Sequence, residues 1–193
     1  MARSKAFDTD QALQKAIQTF WQRGFEGSSV QTLLDDMGIN RGSLYATYGD
    51  KERLFHAAIE QYRRDVVTPR LADLESEDGG LPAIHRFFDS LMERVHQGMN
   101  TNGCLMTNTC VELAARDTTV GAKVRNNLAR IERAFNNALV VAQQQGDLGR
   151  THDPQKGARF LVATLQGLQV LSKAGLSASY LQDVVDTALE NLA

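Results

Sequence analysis

The stretch SSVQTLLDDMGINRGSLYATYGDK, residues 28–51, decides the fold. It reads as two short helices broken at Gly38, where a positive φ costs little only for glycine. Leu33, Met37, Ile39 and Leu44 supply a buried side. Asn40 is placed to cap the second helix and Asp50 the helix that follows. For the first helix of the pair two starts are open: Ser28, with Gln31 as its capping-box partner, or Ser29. A buried first helix, a tight glycine turn and a second helix with one bare face are what a helix-turn-helix requires.

The bare face carries Arg41, Gly42, Ser43, Tyr45 and Thr47, which offer hydrogen-bonding groups and little aliphatic surface. Arg41 can span guanine O6 and N7 in a major groove, and Thr47 can meet a base edge or a thymine methyl. Gly42 lets the helix start approach the sugar-phosphate backbone. The hydroxyls of Tyr45 and Tyr48 and the ammonium of Lys51 suit phosphates. Ser29 and Gln31, at the start of the preceding helix, complete the expected contacts with double-stranded DNA. Tyr48 equally suits a half-buried packing role, and Arg3 and Lys5 form an arm that either tracks a groove or is simply solvated.

Outward from this unit the chain is helical throughout. A first helix starts at Asp8, shows Leu13, Ile17, Phe20 and Trp21 on one face, and ends at Gly24. The helix after Asp50 should stop before Pro69, because proline disfavours helical geometry in the residue preceding it. Residues 75–80, ESEDGG, break the composition. Beyond them Ile84, Phe88, Leu91 and Val95 space as one face, and Val124, Leu128, Ile131, Phe135, Ala138 and Ala142 form a heptad-like stripe. Asp153-Pro154 opens another helix as N-cap and first-turn proline, and Leu181, Val185, Ala188 and Leu192 mark a last one. The expectation is an all-α chain of about nine helices. Residues 1–50 form a three-helix DNA-binding domain, and residues 51–193 a helical domain for ligand binding and dimerisation.

Composition narrows the function. The 193 residues carry a net charge of −2 and 42% hydrophobic residues, enough for a core but without a global basic field. Up to Arg70 there are 10 Lys and Arg against 9 Asp and Glu, and beyond it 11 against 14. Any DNA contact must therefore come from local charge placement. Two cysteines make no disulfide framework. With no apolar leader and no run near the roughly 18 apolar residues of a membrane helix, a cytoplasmic protein is expected. No nucleophile–base pair, phosphate loop or carboxylate pair marks an enzyme. Glu93, His96 and His85 could seed a metal site but read better as surface histidines, so neither metal nor cofactor is expected.

The run GFEGSSVQTLLDDMGINRGSLYATYGDKERLF resembles the DNA-binding domain of the TetR/AcrR family of bacterial repressors. The resemblance extends from about Ala12 to Leu54, through the aromatic after Gly24, the Gly38-Ile39 turn, Ser43-Leu44-Tyr45, Tyr48 and Lys51-Glu52. Leu34 stands where the family favours alanine, Thr47 where histidine is frequent and Tyr48 where phenylalanine is commoner. The resemblance implies a homodimer built on the last two helices and a palindromic operator released by a small, mostly apolar effector. Close approach in that dimer would use Gly157, Ala158, Ala163 and Gly167. The implied cavity lies among the middle helices, with Phe88, Met92, Val95, Leu105, Met106, Asn108 and Phe135 as expected lining.

NGCLMTNTCVELAARD, residues 102–117, also resembles a stretch found in one subgroup of these regulators. Cys104 and Cys110 are separated by about 9 Å of rise on one helix, beyond the roughly 7 Å a disulfide spans. Cys104 near a helix start could have its thiolate favoured by the helix dipole. The alternative function is therefore a thiol-based redox or electrophile sensor acting through Cys104.

Overall fold

The structure, a computed structural model, describes residues 7–99 and 101–192; Arg3 and Lys5 lie outside the described residues. Polar caps divide the chain. Helix α1 (Thr9–Arg23) starts where the Asp8 carboxylate accepts from the Asp10 and Gln11 N–H groups. Helix α2 (Val30–Met37) is capped by Ser29, which accepts from Thr32 N–H at 3.0 Å. Ser28 is fully buried instead, its hydroxyl donating to the Gly24 carbonyl at 2.6 Å, which settles the register left open by the sequence. Helix α3 (Arg41–Tyr48) is capped by Asn40.

Helix α4 occupies residues 51–71 and overturns the expected stop before Pro69. It is capped by Asp50 and regular over Lys51–Tyr62, widens to a π turn over Arg63–Val67, and finishes over Thr68–Leu71. The π turn is what admits the proline. Thr68 N–H reaches back five residues to the Arg63 carbonyl, and Pro69 opens a new final turn in which its missing N–H costs little. The later helices are α5 (Gly80–His96), α6 (Leu105–Leu113), α7 (Thr118–Gln145), α8 (Pro154–Lys173) and α9 (Ala178–Glu190). That makes nine helices among the described residues, with no strand.

The first three helices close around the start of α4. Phe20 of α1 meets Phe55 of α4 edge-on with centroids 4.9 Å apart, and Phe25 lies 4.9 Å from the same ring. Leu33, Leu44 and Leu54 fill the remaining space without exposure. In the second half of the chain α7 packs along α8 and α5, and α9 packs on α8 and α5. Phe88 and Phe135 stack at 5.9 Å with Phe87 edge-on to both. Each such aromatic pair adds about 0.5–1.5 kcal/mol to the burial of its rings.

The head joins the bundle at two places besides α4. Trp21 Nε1 donates to the carbonyls of Asn102 (3.1 Å) and Gly103 (3.2 Å), and its ring meets Tyr62 edge-on at 5.1 Å. Glu112 on α6 accepts from the backbone N–H groups of Phe25 (3.0 Å) and Glu26 (2.8 Å), holding the α1–α2 loop with one carboxylate.

Candidate nucleic-acid interface

Gly38 sits in the left-handed region at φ 70, ψ 34, and its N–H closes α2 on the Leu34 carbonyl at 3.0 Å. The turn aims α3 outward. Asn40 Oδ1 accepts from Ser43 N–H at 2.8 Å. A side chain at Gly42 would come within 3.3 Å of that same Oδ1, so glycine protects the cap as well as leaving the helix start bare. Leu44 is completely buried, and this fixes the helix rotation. Arg41, Gly42 and Tyr45 are then exposed, while Ser43 and Thr47 are partly so. Ser29 and Gln31 are exposed at the start of α2, where Gln31 Nε2 donates to Asp35 Oδ1.

Two expected phosphate contacts sit differently. The Tyr48 hydroxyl donates to the Thr9 carbonyl at 3.2 Å, tying α3 to the start of α1; burial, then the nearby Asp10 carboxylate, push its pKa up. The Lys51 ammonium lies 4.2 Å from the centre of the Phe25 ring, a cation–π contact on the head's own aromatic cluster. The single hydroxyl proton of Tyr48 is thus engaged within the head, whereas the Lys51 ammonium keeps its N–H donors beside the ring. Tyr45, exposed at 45%, stands free for a phosphate.

The expected lining of the effector cavity is mostly core. Phe88, Met92, Leu105 and Phe135 are 0–3% exposed. A recess of about 40 Å3 is bordered by one expected residue, Met106, together with Cys104, Cys110, Asn127 and Gln169; Phe88, Met92, Val95, Leu105 and Phe135 do not reach it. The spacing of Phe88, Met92, Leu105 and Phe135 places them on inward faces, where they pack in the core. Asn108 donates to the Asn102 carbonyl at 3.0 Å and borders an outer groove with Glu112 and Lys173. Cys104 is the N-cap of α6, partly buried, and accepts from the Tyr62 hydroxyl at 3.6 Å. Burial of that hydroxyl holds it protonated well above the usual tyrosine range.

The histidine–carboxylate grouping suggested by the sequence does not form: His85, Glu93 and His96 are exposed along α5. Among the described residues, Glu52, His56 and Asp117 each bring a ligand atom within 4.8 Å of the others. Asp117 already caps α7 through Oδ1, and three ligands fall short of the four of a structural zinc site. No described helix is long and apolar enough to cross a membrane.

Glu112, Trp21 and a basic cleft beside the π turn (Arg63, Lys123, Arg130, Arg133) carry no local signal in the sequence. The partners of Trp21, Glu112, Lys123 and Arg130 lie more than fifty residues away.

Comparison with known proteins agrees with this architecture. Residues 12–58 match the family described as "Bacterial regulatory proteins, tetR family", and residues 80–188 match "Tetracyclin repressor-like, C-terminal domain". The HTH-type transcriptional regulator YezE of Bacillus subtilis (strain 168) is 32% identical over 193 residues, covering 100% of both chains. The HTH-type transcriptional repressor ComR of Escherichia coli (strain K12) is 29% identical, covering 97% of this chain and 90% of its own. Among solved structures, a cysteine mutant of the TetR family transcriptional regulator CifR, complexed with 26bp double-strand operator DNA, superposes with a TM-score of 0.83. It shares 29% identity over 100% of both chains. A capped, glycine-turned reading helix on an all-helical bundle and full-length relatives of one kind lead to a single assignment: the chain belongs to the TetR family of bacterial regulatory proteins.

Proposed function

We propose that the chain is a homodimeric transcriptional repressor of the cytoplasm, in which residues 1–50 read a palindromic operator and residues 51–193 dimerise and bind a small effector. The observation that carries the reading is the exposed row Arg41, Gly42 and Tyr45 on a helix locked in rotation by buried Leu44. A hydrogen-bonding row with no apolar burden is what a major groove accepts, and CifR was solved on operator DNA. Ser29, Gln31, Ser43 and Thr47 flank the row; Tyr48 and Lys51 contribute by positioning the head.

Dimerisation has its own support. On α8 the outer face presents Phe160, Ala163, Gly167 and Val170 at helical spacing, and α9 adds Tyr180 beside it. Gly157 and Ala158 face inward, where a side chain on Gly157 would meet Leu139 at 2.9 Å. The small residues thus divide between the chain's own core and an apolar face suited to a second copy. Two heads on such a dimer would meet half-sites about one helical turn, roughly 34–36 Å, apart. An effector releases DNA only if it prefers the head spacing that does not fit.

The test is fluorescence anisotropy with the chain's own promoter region. Arg41→Ala should lose about 1–3 kcal/mol and relax base preference at one position of each half-site. Unchanged affinity and unchanged preference would remove Arg41 from the interface and with it this reading of α3.

A further inference from the structure

Between α4 at its π turn and α7 lies a cleft of about 350 Å3. Arg63, Lys123, Arg130 and Arg133 line it, together with Glu60. Glu60 is shared by Lys123 (2.6 Å) and Arg63 (3.2 Å). Arg130 is held bidentately by Glu75 and donates to Thr68 Oγ1 at 2.6 Å. Arg133, exposed, has no carboxylate partner among the described residues. Four cations thus face two carboxylates, which leaves two positive charges in excess at one concave site.

A second observation is independent of charge. Asn127 is 3% exposed, and its Oδ1 is buried with no donor. A buried acceptor without a partner is a costly arrangement. Asn127 and Met106 border both the cleft and the small recess behind it, so they form the wall between the two. A molecule in the cleft therefore meets cations at its rim and the Asn127 side chain in its back wall, with the unpartnered Oδ1 buried just behind that surface.

We propose that this cleft is the effector site and that its ligand is a small hydroxy-carboxylate. The carboxylate pairs with Lys123, Arg63 and Arg133, and the hydroxyl donates to Asn127 Oδ1. This rests on the reading of the chain as an effector-released repressor and gives that effector a chemical class. It replaces the mostly apolar effector that the resemblance implies; of the expected lining residues, Met106 alone borders this cleft. The coupling is direct: the incoming carboxylate competes with Glu60 for Lys123 and Arg63. With Glu60 displaced, the ligand carboxylate becomes the link between Arg63 of α4 and Lys123 and Arg133 of α7, which resets the separation of the two helices at the π turn of the helix that carries the head.

The experiment uses DNA-free full-length protein, titrated calorimetrically with glycolate, lactate and 2-hydroxybutyrate, with acetate, propionate and butyrate as hydroxyl-free partners, and with inorganic phosphate. Each hydroxy acid should bind about tenfold tighter than its hydroxyl-free partner. Arg133→Gln, at an exposed position, should weaken all carboxylates about tenfold, and Asn127→Leu should bring the two series to one affinity. The proposal is overturned if no carboxylate binds with a Kd below about 10 mM, or if only phosphate binds. Equal binding of the two series to the unsubstituted protein overturns the role of Asn127, and wild-type affinity in Arg133→Gln overturns the role of the basic rim. A fluorescence anisotropy arm with promoter DNA separates the two readings. Hydroxy-acid binding that leaves DNA affinity unchanged keeps the ligand site and refutes the release mechanism, whereas release without binding at the cleft does the reverse.

Discussion

Glu112 is the side chain through which the bundle holds the head, and Glu112→Gln tests that hold. In the native protein its two carboxylate oxygens each accept one backbone N–H, from Phe25 at 3.0 Å and Glu26 at 2.8 Å. Glutamine keeps one acceptor and sets an NH2 group against the other N–H. Hydrogen bonds to a charged group contribute about 1.5–3 kcal/mol each. One is lost outright and the other loses its charge assistance, so the expected loss is about 2–3 kcal/mol. For a chain of this size each kcal/mol shifts Tm by about 2–4 °C, which gives a fall of roughly 4–12 °C. A circular-dichroism melt measures it. Gly24→Ala probes the same contact from the other side, because an added Cβ would lie 2.7 Å from Glu112 Oε2 at a φ of +75. Its cost should be smaller in a Glu112→Ala background, where only the backbone strain remains, and the difference measures the clash. A melt of Glu112→Gln within about 1 °C of the native one, far below the expected shift, would refute the claim that this carboxylate holds the loop.

Two further outcomes follow from the geometry. The Glu60 carboxyl is held below the ordinary glutamate value of 4.5, chiefly by the hydrogen bond from Lys123, with burial opposing and Arg63 assisting. A carboxylate more acidic folded than unfolded stabilises the fold fully above its unfolded pKa and loses that contribution as pH falls through the folded one. Urea titrations of Glu60→Gln should therefore show a shallower loss of stability below pH about 4.5 than the native protein; parallel curves would contradict the assignment. Phe160→Glu, on the outer face of α8, should convert the dimer to monomer in light-scattering chromatography, while a dimer that survives it would place the interface elsewhere.

How far the sequence could be read depended on the range of the interactions. Helix starts at Asp8, Asn40, Asp50 and Asp153 were legible because a cap acts within three residues. Leu44 and the glycine turn were legible for the same reason, and with them the outward face of α3. Pro69 misled because the rule concerns a regular helix, and the preceding π turn changes which carbonyl each N–H must find. Tyr48 and Lys51 have groups suited to phosphate, yet the structure engages them with Thr9 and Phe25, 39 and 26 positions away in the chain. Of the expected effector lining, Met106 borders a recess while Phe88, Met92, Leu105 and Phe135 pack the core; spacing identifies inward faces, but which inward residues border a void depends on packing that no local pattern records.

Trp21 is the chain's single tryptophan, and it stands at the seam where the head meets the bundle. Its indole N–H is held by two carbonyls of the segment before α6, and its ring lies against Tyr62 of α4. Tyr62 in turn touches Cys104. Any swing of the head relative to α6 or α4 must alter the hydrogen bonding or the quenching neighbours of this one fluorophore. The protein thus carries an intrinsic optical gauge of its own joint, readable without labelling, with DNA and candidate effectors titrated into the same cuvette.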